Sequence, residues 1–218
     1  MLNPHFVFNV INAIQHFINS GKKLEANLYL ADFAKLIRLS SGFTGKRMIL
    51  LEEELTYLEL YLSFEKLRLV DKLSCEIIVD PAIEPAKILV SLMMIQPFME
   101  NAVWHGIQPI KEKGEVSLYV GKKSEKLLHI KVVDNGVGIQ EGYMDINLLD
   151  PNQEGIKFNN IAIQRLRLLH KTTKEPLYLY YSWLHPEQKN KGTVAEFLLP
   201  FVPVRPGRAV TSFKDTIT

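Results

Sequence analysis

The spacing of the apolar residues changes near Leu73, and this change limits the possible folds more than any other feature of the sequence. Up to about residue 70, apolar residues recur every three or four positions, as in helices that bury one face. From Leu73 to Val79 they alternate with polar residues, as in a half-buried strand. The sequence therefore predicts a helical region over residues 1–70 and a sheet-containing region after it.

Three helices are predicted in the first region. The first begins with Asn3 as its N-cap and Pro4 in its first turn and ends at Gly21. The second covers residues 24–41, and the third runs from the acidic residues 52–54 to about residue 69. The apolar faces assigned to these helices contain, in order, Phe6, Val10, Ala13, Ile14 and Phe17; Ala26, Leu30, Phe33 and Ile37; and Leu55, Leu58, Leu62 and Leu69.

The second region alternates helices with pairs of strands. Its predicted elements are strand 73–79, helix 88–107, a hairpin of strands 115–121 and 127–133, a loop over 134–154, helix 156–171, and strands 177–183 and 193–199. Helices packed on one antiparallel or mixed sheet make a two-layer α/β sandwich, so the predicted class is α+β. Residues 203–218 are expected to form a disordered tail.

The composition is that of an ordinary globular chain. Its 218 residues are 47% hydrophobic, enough to bury one full domain and a smaller partner. A net charge of +2 gives no broad field that would steer the chain to nucleic acid or anionic lipid. The single cysteine, Cys75, occupies an inward strand position, which indicates a packing role and a reducing compartment. No apolar stretch reaches the roughly 20 residues of a spanning helix, so the chain as given is expected to be soluble.

An acid and an amide on the helix predicted over 88–107 are suited to holding a magnesium ion. Asn101 and His105 are four residues apart and share a helical face, and Glu100 lies beside them. Mg²⁺ prefers oxygen ligands and keeps several waters, so the amide oxygen of Asn101 together with phosphate oxygens suffices. Glu100 can order a metal-bound water or accept a proton. The alternative is that both residues lie on a solvated helix face.

A carboxylate at the end of a strand is suited to recognising adenine through a hydrogen bond. Asp134 follows an apolar strand, where it can accept a hydrogen bond from the exocyclic amine of the base. Gly136 and Gly138 allow the backbone to approach the base closely. Alone, Asp-Asn-Gly is more often a simple turn. Here a Glu-Asn helix precedes it by about thirty residues, and Gly192-Thr193 follows before the last strand, so the nucleotide interpretation is favoured.

Together with the segment Asn3-Pro4-His5-Phe6-Val7-Phe8-Asn9, these motifs resemble the LytS/YehU-type sensor histidine kinases. In that family the Glu-Asn helix, the Asp-Asn-Gly segment and Gly192-Thr193 correspond to the asparagine box, the first glycine box and the last glycine box. These boxes belong to an ATP-binding domain with the GHKL (Bergerat) fold. The resemblance covers most of residues 2–200. It implies a helical dimerisation and phosphoacceptor region at 1–70 and a GHKL catalytic domain at 71–202.

The second glycine box departs from the family pattern. Where the family has Gly-Leu-Gly-Leu before a helix, this chain has residues 155–161, in which only Gly155 corresponds. Asn160 still resembles the helix that follows, whose N-terminus can present amides to phosphate. Lys157 either substitutes a charge for backbone contacts or accompanies a reduced affinity for ATP.

The resemblance implies that His5 accepts the γ-phosphoryl group. An imidazole that is unprotonated near neutral pH can attack phosphorus without a strong base, provided that it is aligned and a metal spreads the charge. Asn9 lies one turn further along the helix and can orient the ring. An isolated histidine would more often be an ordinary residue at a helix start.

The implied function is the core of a two-component sensor kinase, which phosphorylates its own histidine from Mg-ATP and passes the phosphoryl group to an aspartate of a response regulator. The implied partners are a second copy of the chain and that regulator, commonly one with a LytTR DNA-binding domain. The resemblance implies no direct contact with nucleic acid. It implies contact with the membrane only through an upstream sensor region, so that the chain is the cytoplasmic portion of an inner-membrane protein.

Two alternatives remain. One is a degenerate kinase domain that binds nucleotide weakly or not at all and signals, without catalysis, by changing helix packing. The other is an ATPase or serine kinase that shares the ATP fold and lacks the acceptor.

Overall fold

The structure, a computed structural model, describes residues 4–69, 72–139, 143–150, 160–173, 175–188 and 191–204. The helices are α1 (Pro4–Asn19), α2 (Lys23–Gly42), α3 (Leu51–Arg68), α4 (Gln96–Asn101) and α5 (Asn160–Thr173). A π-helical segment, Ala102–Ile107, continues α4, and we call residues 96–107 together the asparagine helix. The strands are β1 (Met48–Leu50), β2 (Leu73–Val79), β3 (Ile88–Ser91), β4 (Gly114–Lys122), β5 (Leu127–Asp134), β6 (Tyr143–Asp145), β7 (Leu179–Trp183) and β8 (Thr193–Pro203).

All three predicted N-terminal helices form, but the buried face of α2 differs from the prediction. Leu30 and Ile37, which were assigned to that face, are 54% and 37% exposed. The observed face carries Leu36 and turns its aromatic residues towards α1 and α3: Tyr29 stacks on Phe17, and Phe33 meets Phe64 edge to face. Both choices of face have a helical period, so contacts with the neighbouring helices decide between them.

The first 70 residues are not entirely helical as predicted. The short strand β1 lies between α2 and α3 and pairs in antiparallel register with β3, so that Met48 faces Ser91. Ile49 and Met48 are buried there. A three-residue strand shows too few alternations to be recognised from its sequence, and its partner lies about forty residues away.

The helix predicted over 88–107 begins eight residues later than expected, at Gln96. Residues Ile88–Ser91 instead form β3, which lies between β1 and β8. A run of four residues, Ile-Leu-Val-Ser, is too short to show the alternation of a strand, and a short apolar run cannot be told from a buried helix segment by its period. The backbone leaves the sheet at Met93, whose φ of 52° is in the left-handed region.

The sheet is mixed, with the strand order β1-β3-β8-β5-β4-β2. Only β2 and β4 run parallel among the described pairs, and β4 and β5 form the predicted hairpin. The predicted loop 134–154 contains β6, which pairs with β7, and β7 pairs with β8. This corrects the prediction of an unstructured loop. The predicted tail lies outside the described residues, apart from Pro203 at the end of β8 and residue 204.

The asparagine helix packs against the inner face of the sheet. Phe98 stacks on Phe197 of β8 with ring centroids 4.3 Å apart, and Met94, Ile95 and Ile107 are fully buried. Helices that precede and cover a mixed sheet confirm the α+β class. Within the described ranges, no helix is both long and apolar enough to cross a membrane.

A buried carboxylate from α3 fixes the start of the asparagine helix. Glu54 is fully buried, and its Oε1 accepts hydrogen bonds from the backbone amides of Ile95 at 2.7 Å and Gln96 at 3.4 Å. A carboxylate at this position satisfies amides that have no partner within the helix. From α5, Arg165 donates hydrogen bonds to the carbonyls of Leu92 and Met93 in the preceding turn. The turn is therefore held from two sides.

Glu54 makes the stability of the fold depend on pH. Burial raises the pKa of Glu54 to about 7 from an ordinary value of 4.5, against the lowering effect of its backbone hydrogen bonds and of Arg165. Because the folded state holds the proton more tightly, the stability that this group supplies is complete below pH 4.5 and is lost as the pH rises towards 7.

We expect the free energy of unfolding of the wild type to fall by about 2–3 kcal/mol more between pH 4.5 and pH 7.5 than that of Glu54→Gln. Urea denaturation at several pH values measures this difference. Glu52→Gln, an exposed position in the same turn of α3, is the matched control and should follow the wild type. Parallel pH profiles for wild type and Glu54→Gln would contradict the assignment.

Candidate nucleotide-binding site

Asp134 is the central residue of the candidate site. It ends β5 in register with Thr193 at the start of β8, and only 5% of its surface is exposed. Its Oδ1 accepts a hydrogen bond from the amide of Gly136 at 2.9 Å, and the side chain and backbone of Thr193 also bond to the carboxylate. Burial raises the pKa of Asp134 to about 7, and these hydrogen bonds oppose the rise. A nearly buried carboxylate thus lies where two strand ends meet.

The end of the asparagine helix directly contacts residues 134–138, which we call the first glycine segment. A Cβ atom on Gly106 would lie 2.6 Å from Oδ1 of Asp134, and one on Gly136 would overlap the backbone of Gly106. The amide of Val137 donates to the carbonyl of Gly106 at 3.1 Å. Glycine at 106 and 136 is therefore required by the packing of the protein's own backbone. The sequence motif alone suggests a different reason for Gly136, namely the close approach of a base.

The last glycine segment, Gly192-Thr193, packs against Asp134 and Gly136 as well. The amide of Gly192 donates to the carbonyl of Gly136 at 2.8 Å, and its φ of 69° lies in the left-handed region. A Cβ atom there would lie 2.6 Å from the carbonyl oxygen of Asp134. Gly138 also has a left-handed φ, of 76°. The three motif segments, which are far apart in the sequence, are thus adjacent in the structure.

The three polar residues predicted on the asparagine helix occupy different environments. Oε1 of Glu100 accepts a 2.6 Å hydrogen bond from Gln96, and burial raises the pKa of Glu100. Asn101 is half-buried at the last α-helical position, and the wider π-helical segment begins directly after it. His105 is exposed, and what burial it has lowers its pKa. A π-helical interruption of this kind is frequent at functional sites.

His5 lies on the exposed side of the first turn of α1, where Asn9 contacts it. Nδ2 of Asn9 is 3.3 Å from Nδ1 of the ring. In this orientation the amide donates to Nδ1, which places the proton of a neutral ring on Nε2. Rotation of the amide by half a turn lets its oxygen accept from Nδ1–H and leaves Nε2 unprotonated. Asn9 can therefore select which ring nitrogen is the nucleophile.

A contact that the sequence did not predict joins His5 to the asparagine helix. The ring centroids of His5 and Trp104 are 5.4 Å apart, with an angle of 64° between the planes. The first turn of α1 thus touches the helix that carries Asn101. The sequence also did not predict the structural roles of Gly106 and Glu54 at the site. For Gly106, the one available signal was its position directly after the helical motif.

Three predicted site residues are not described. Gly155 and Lys157 lie outside the described residues, and Asn160 begins α5 without a described side chain. Elsewhere in the described part of the chain, no group of three or more His, Cys, Asp or Glu residues could hold a metal ion. The predicted magnesium site is of another kind, because it combines one amide oxygen with oxygens of the nucleotide.

Comparison with known proteins agrees with the motifs. Residues 1–73 match the profile of the histidine kinase family. The sensor histidine kinase YpdA of Escherichia coli is 30% identical over 91% of this chain and 33% of its own length. The sensor protein LytS of Oceanobacillus iheyensis is 27% identical over 92% of the chain and 33% of its own. The sensor protein kinase HptS of Staphylococcus aureus is 28% identical over 90% and 36%.

The chain spans about a third of the length of these curated relatives. Among solved structures, the catalytic domain of the histidine kinase ThkA aligns with a TM-score of 0.45 and 16% identity, over 74% of this chain and 100% of that one. The histidine kinase domain of a blue-light activated kinase from Erythrobacter litoralis aligns with a TM-score of 0.44 and 15% identity, over 90% and 92%. The matches to curated sequences confirm the resemblance seen in the motifs: residues 1–73 match the histidine kinase family, and the chain as a whole is similar to LytS-like sensor kinases.

Proposed function

We propose that this chain is the catalytic core of a sensor histidine kinase, which binds Mg-ATP and transfers the γ-phosphoryl group to His5. The observation that carries the proposal is the convergence of three motif segments on the buried carboxylate of Asp134. The contact of the acceptor helix with the asparagine helix also supports it. YpdA is named as a sensor histidine kinase and HptS as a sensor protein kinase, which supports kinase activity for this chain.

The residues present fit an adenine nucleotide. The carboxylate of Asp134 is an acceptor for the exocyclic amine of adenine in a nearly dry position. The backbone around it comes from Gly136, Gly192 and Thr193, and Gly138 follows in the same segment as Gly136. We assign the neighbouring face of the asparagine helix to the phosphates and the metal ion.

The proposed phosphate side combines one metal ligand with polar helix residues. Asn101 holds Mg²⁺ through its amide oxygen, and Glu100 orders a metal-bound water or accepts a proton, while His105 contacts the nucleotide. The ion would neutralise charge that develops on the transferred phosphoryl group. Gly155, Lys157 and Asn160 are proposed to contact the phosphates from the N-terminal side of α5.

The proposed dimer follows from an uncovered apolar surface. Phe8, Ile11 and Ile18 of α1 are 66%, 40% and 55% exposed, and Leu24 and Leu28 of α2 are 71% and 60% exposed. A second copy of the chain would bury these side chains in a four-helix bundle. We therefore propose that residues 1–70 form the dimerisation and acceptor region and residues 71–202 the ATP-binding domain.

The proposed physiological partner is a response regulator whose aspartate receives the phosphoryl group, of the LytTR type found with LytS-like kinases. Contact with the membrane would come only through an upstream sensor region, and this chain would be the cytoplasmic portion. The rival function is a degenerate domain that does not catalyse, and the eroded second glycine box at residues 155–161 is its one support. The relatives are named as kinases, which favours catalysis.

Incubation with labelled ATP and Mg²⁺ should give an acid-labile, alkali-stable phosphoprotein, because a phosphoryl group on imidazole nitrogen has this stability. His5→Gln should abolish the label. His16→Gln, an exposed histidine on the same helix, is the matched control and should label like the wild type. A folded, dimeric wild-type sample that carries no label would contradict catalysis, and weak or absent binding of Mg-ATP in calorimetry would then support the rival function.

The affinity for an adenine nucleotide should increase as the pH rises through 7. The pKa of Asp134 is about 7 because of burial, and only the ionised carboxylate is a pure acceptor for the adenine amine. We expect binding of Mg-ADP to be about tenfold tighter at pH 8 than at pH 6 from this group, as measured by calorimetry. Asp134→Asn should bind more weakly and retain only the pH dependence of the nucleotide itself. Equal pH dependence in both proteins would contradict the role of Asp134.

A further inference from the structure

We propose that Trp104 is a positioning residue that docks His5 against the asparagine helix of its own chain, so that phosphoryl transfer occurs within one chain. The inference rests on the proposed function and specifies which chain supplies the acceptor. It is carried by a series of contacts from α1 through α3 to the asparagine helix, all within a single polypeptide.

The first step is that the start of α1 has a fixed position. Phe6 is only 3% exposed, and its ring stacks on Tyr61 of α3 with centroids 5.1 Å apart. It also meets Phe64 edge to face at 6.1 Å, and Val10, one turn further on, is equally buried. Aromatic pairs in these geometries hold each other beyond the effect of burial. Because His5 directly precedes Phe6, its backbone position is set by this packing.

The second step is that Trp104 is fixed by the same helix, α3. Its indole Nε1 donates a 2.8 Å hydrogen bond to the hydroxyl of Tyr61. The guanidinium of Arg68 lies over the indole ring, 4.8 Å from its centroid, and Arg68 is held in turn by the buried Glu65 at 2.7 Å. Tyr61 therefore contacts both Phe6 and Trp104. The contacts with α3 therefore fix the orientation of the indole independently of His5, and we call this indole the platform on which His5 docks.

The third step is the short distance along the asparagine helix from the platform to the proposed metal ligand. Trp104 follows Asn101 by three residues in continuous helical structure, which corresponds to a rise of about 4.5 Å. His5 is in edge contact with that indole at 5.4 Å. The acceptor thus lies near the phosphate side of the proposed site in its own chain, and a partner chain is not needed to supply it.

The proposed step is a direct transfer between ATP and the ring. The lone pair of the unprotonated nitrogen of His5 forms a bond to the γ-phosphorus as the bond to the bridging oxygen breaks, and ADP leaves with that electron pair. The attacking nitrogen carries no proton, so no base has to remove one. Alignment is the main requirement, and an aligned acceptor in the same chain has a high effective concentration.

Mixed dimers test which chain supplies the acceptor. One chain carries His5→Gln and the other Asp134→Asn, with different tags, so that tandem purification isolates the mixed species. Labelled ATP is supplied at a concentration at which the Asp134→Asn homodimer stays unlabelled, and it should leave both chains of the mixed dimer unlabelled while the wild type is labelled. Label on the acceptor-bearing chain would overturn transfer within one chain and leave the proposed function intact. An unlabelled wild type would overturn both.

Should no mixed species be recovered, the rate constant of labelling of the wild type is measured on dilution through the concentration range in which the dimer dissociates, because transfer between the chains of a stable dimer is also independent of concentration. A first-order rate constant that is independent of concentration is expected. A rate constant proportional to concentration would overturn the inference.

Substitution of Trp104 tests the platform itself. Trp104→Leu should lower the rate constant of labelling by about three- to tenfold, the size expected from one lost aromatic contact, with nearly unchanged affinity for Mg-ADP. Trp104→Phe keeps a ring for His5 and should restore most of the rate, although it loses the hydrogen bond to Tyr61. A Leu variant that labels at the wild-type rate would overturn the assignment, as would a loss of rate explained entirely by weaker nucleotide binding.

Discussion

The buried carboxylate of Asp134 is the constraint on which the arrangement of the candidate site depends. An acid that is 5% exposed needs donors, and here they come from Gly136 two residues on and from Thr193 on another strand. Side-chain atoms at Gly106 would collide with this carboxylate, so the helix end can approach only as glycine. The carboxylate of Asp134 therefore determines where two strands and a helix meet, and this close packing requires glycines around it.

A second buried carboxylate acts at the opposite end of the asparagine helix. Glu54 accepts hydrogen bonds from the amides of Ile95 and Gln96, while Arg165 holds the turn before them. A helix of six α-helical residues followed by a π-helical segment has little intrinsic stability, so its axial position depends on such external bonds. The position of Asn101 is thus set by contacts at both ends.

The sequence predicted the structure well where the signal is a local motif, and less well where contacts with a distant segment determine the structure. The period change near Leu73, the hairpin of β4 and β5 and the order of the motif segments could be read from the chain alone. The strand β3 could not, because an apolar run of four residues resembles a buried helix segment. The burial of Glu54 could not either, because three successive acids at a helix start look alike until the partner amides are known. The roles of the predicted site residues remain predictions.

The helix α3 relates the acceptor to the site because it carries residues that contact each of them. Glu54 at its start bonds to the asparagine helix, and Tyr61 in its middle contacts both Phe6 and Trp104. Packed side chains move together because interiors are close to crystal density. A displacement of α1 relative to α3 would therefore change the position of His5 relative to Trp104 while Glu54 still held Asn101 in place. Such a fold can alter the alignment of the proposed acceptor, His5, without dismantling the candidate nucleotide site, which is the separation that regulation of the proposed phosphotransfer would require.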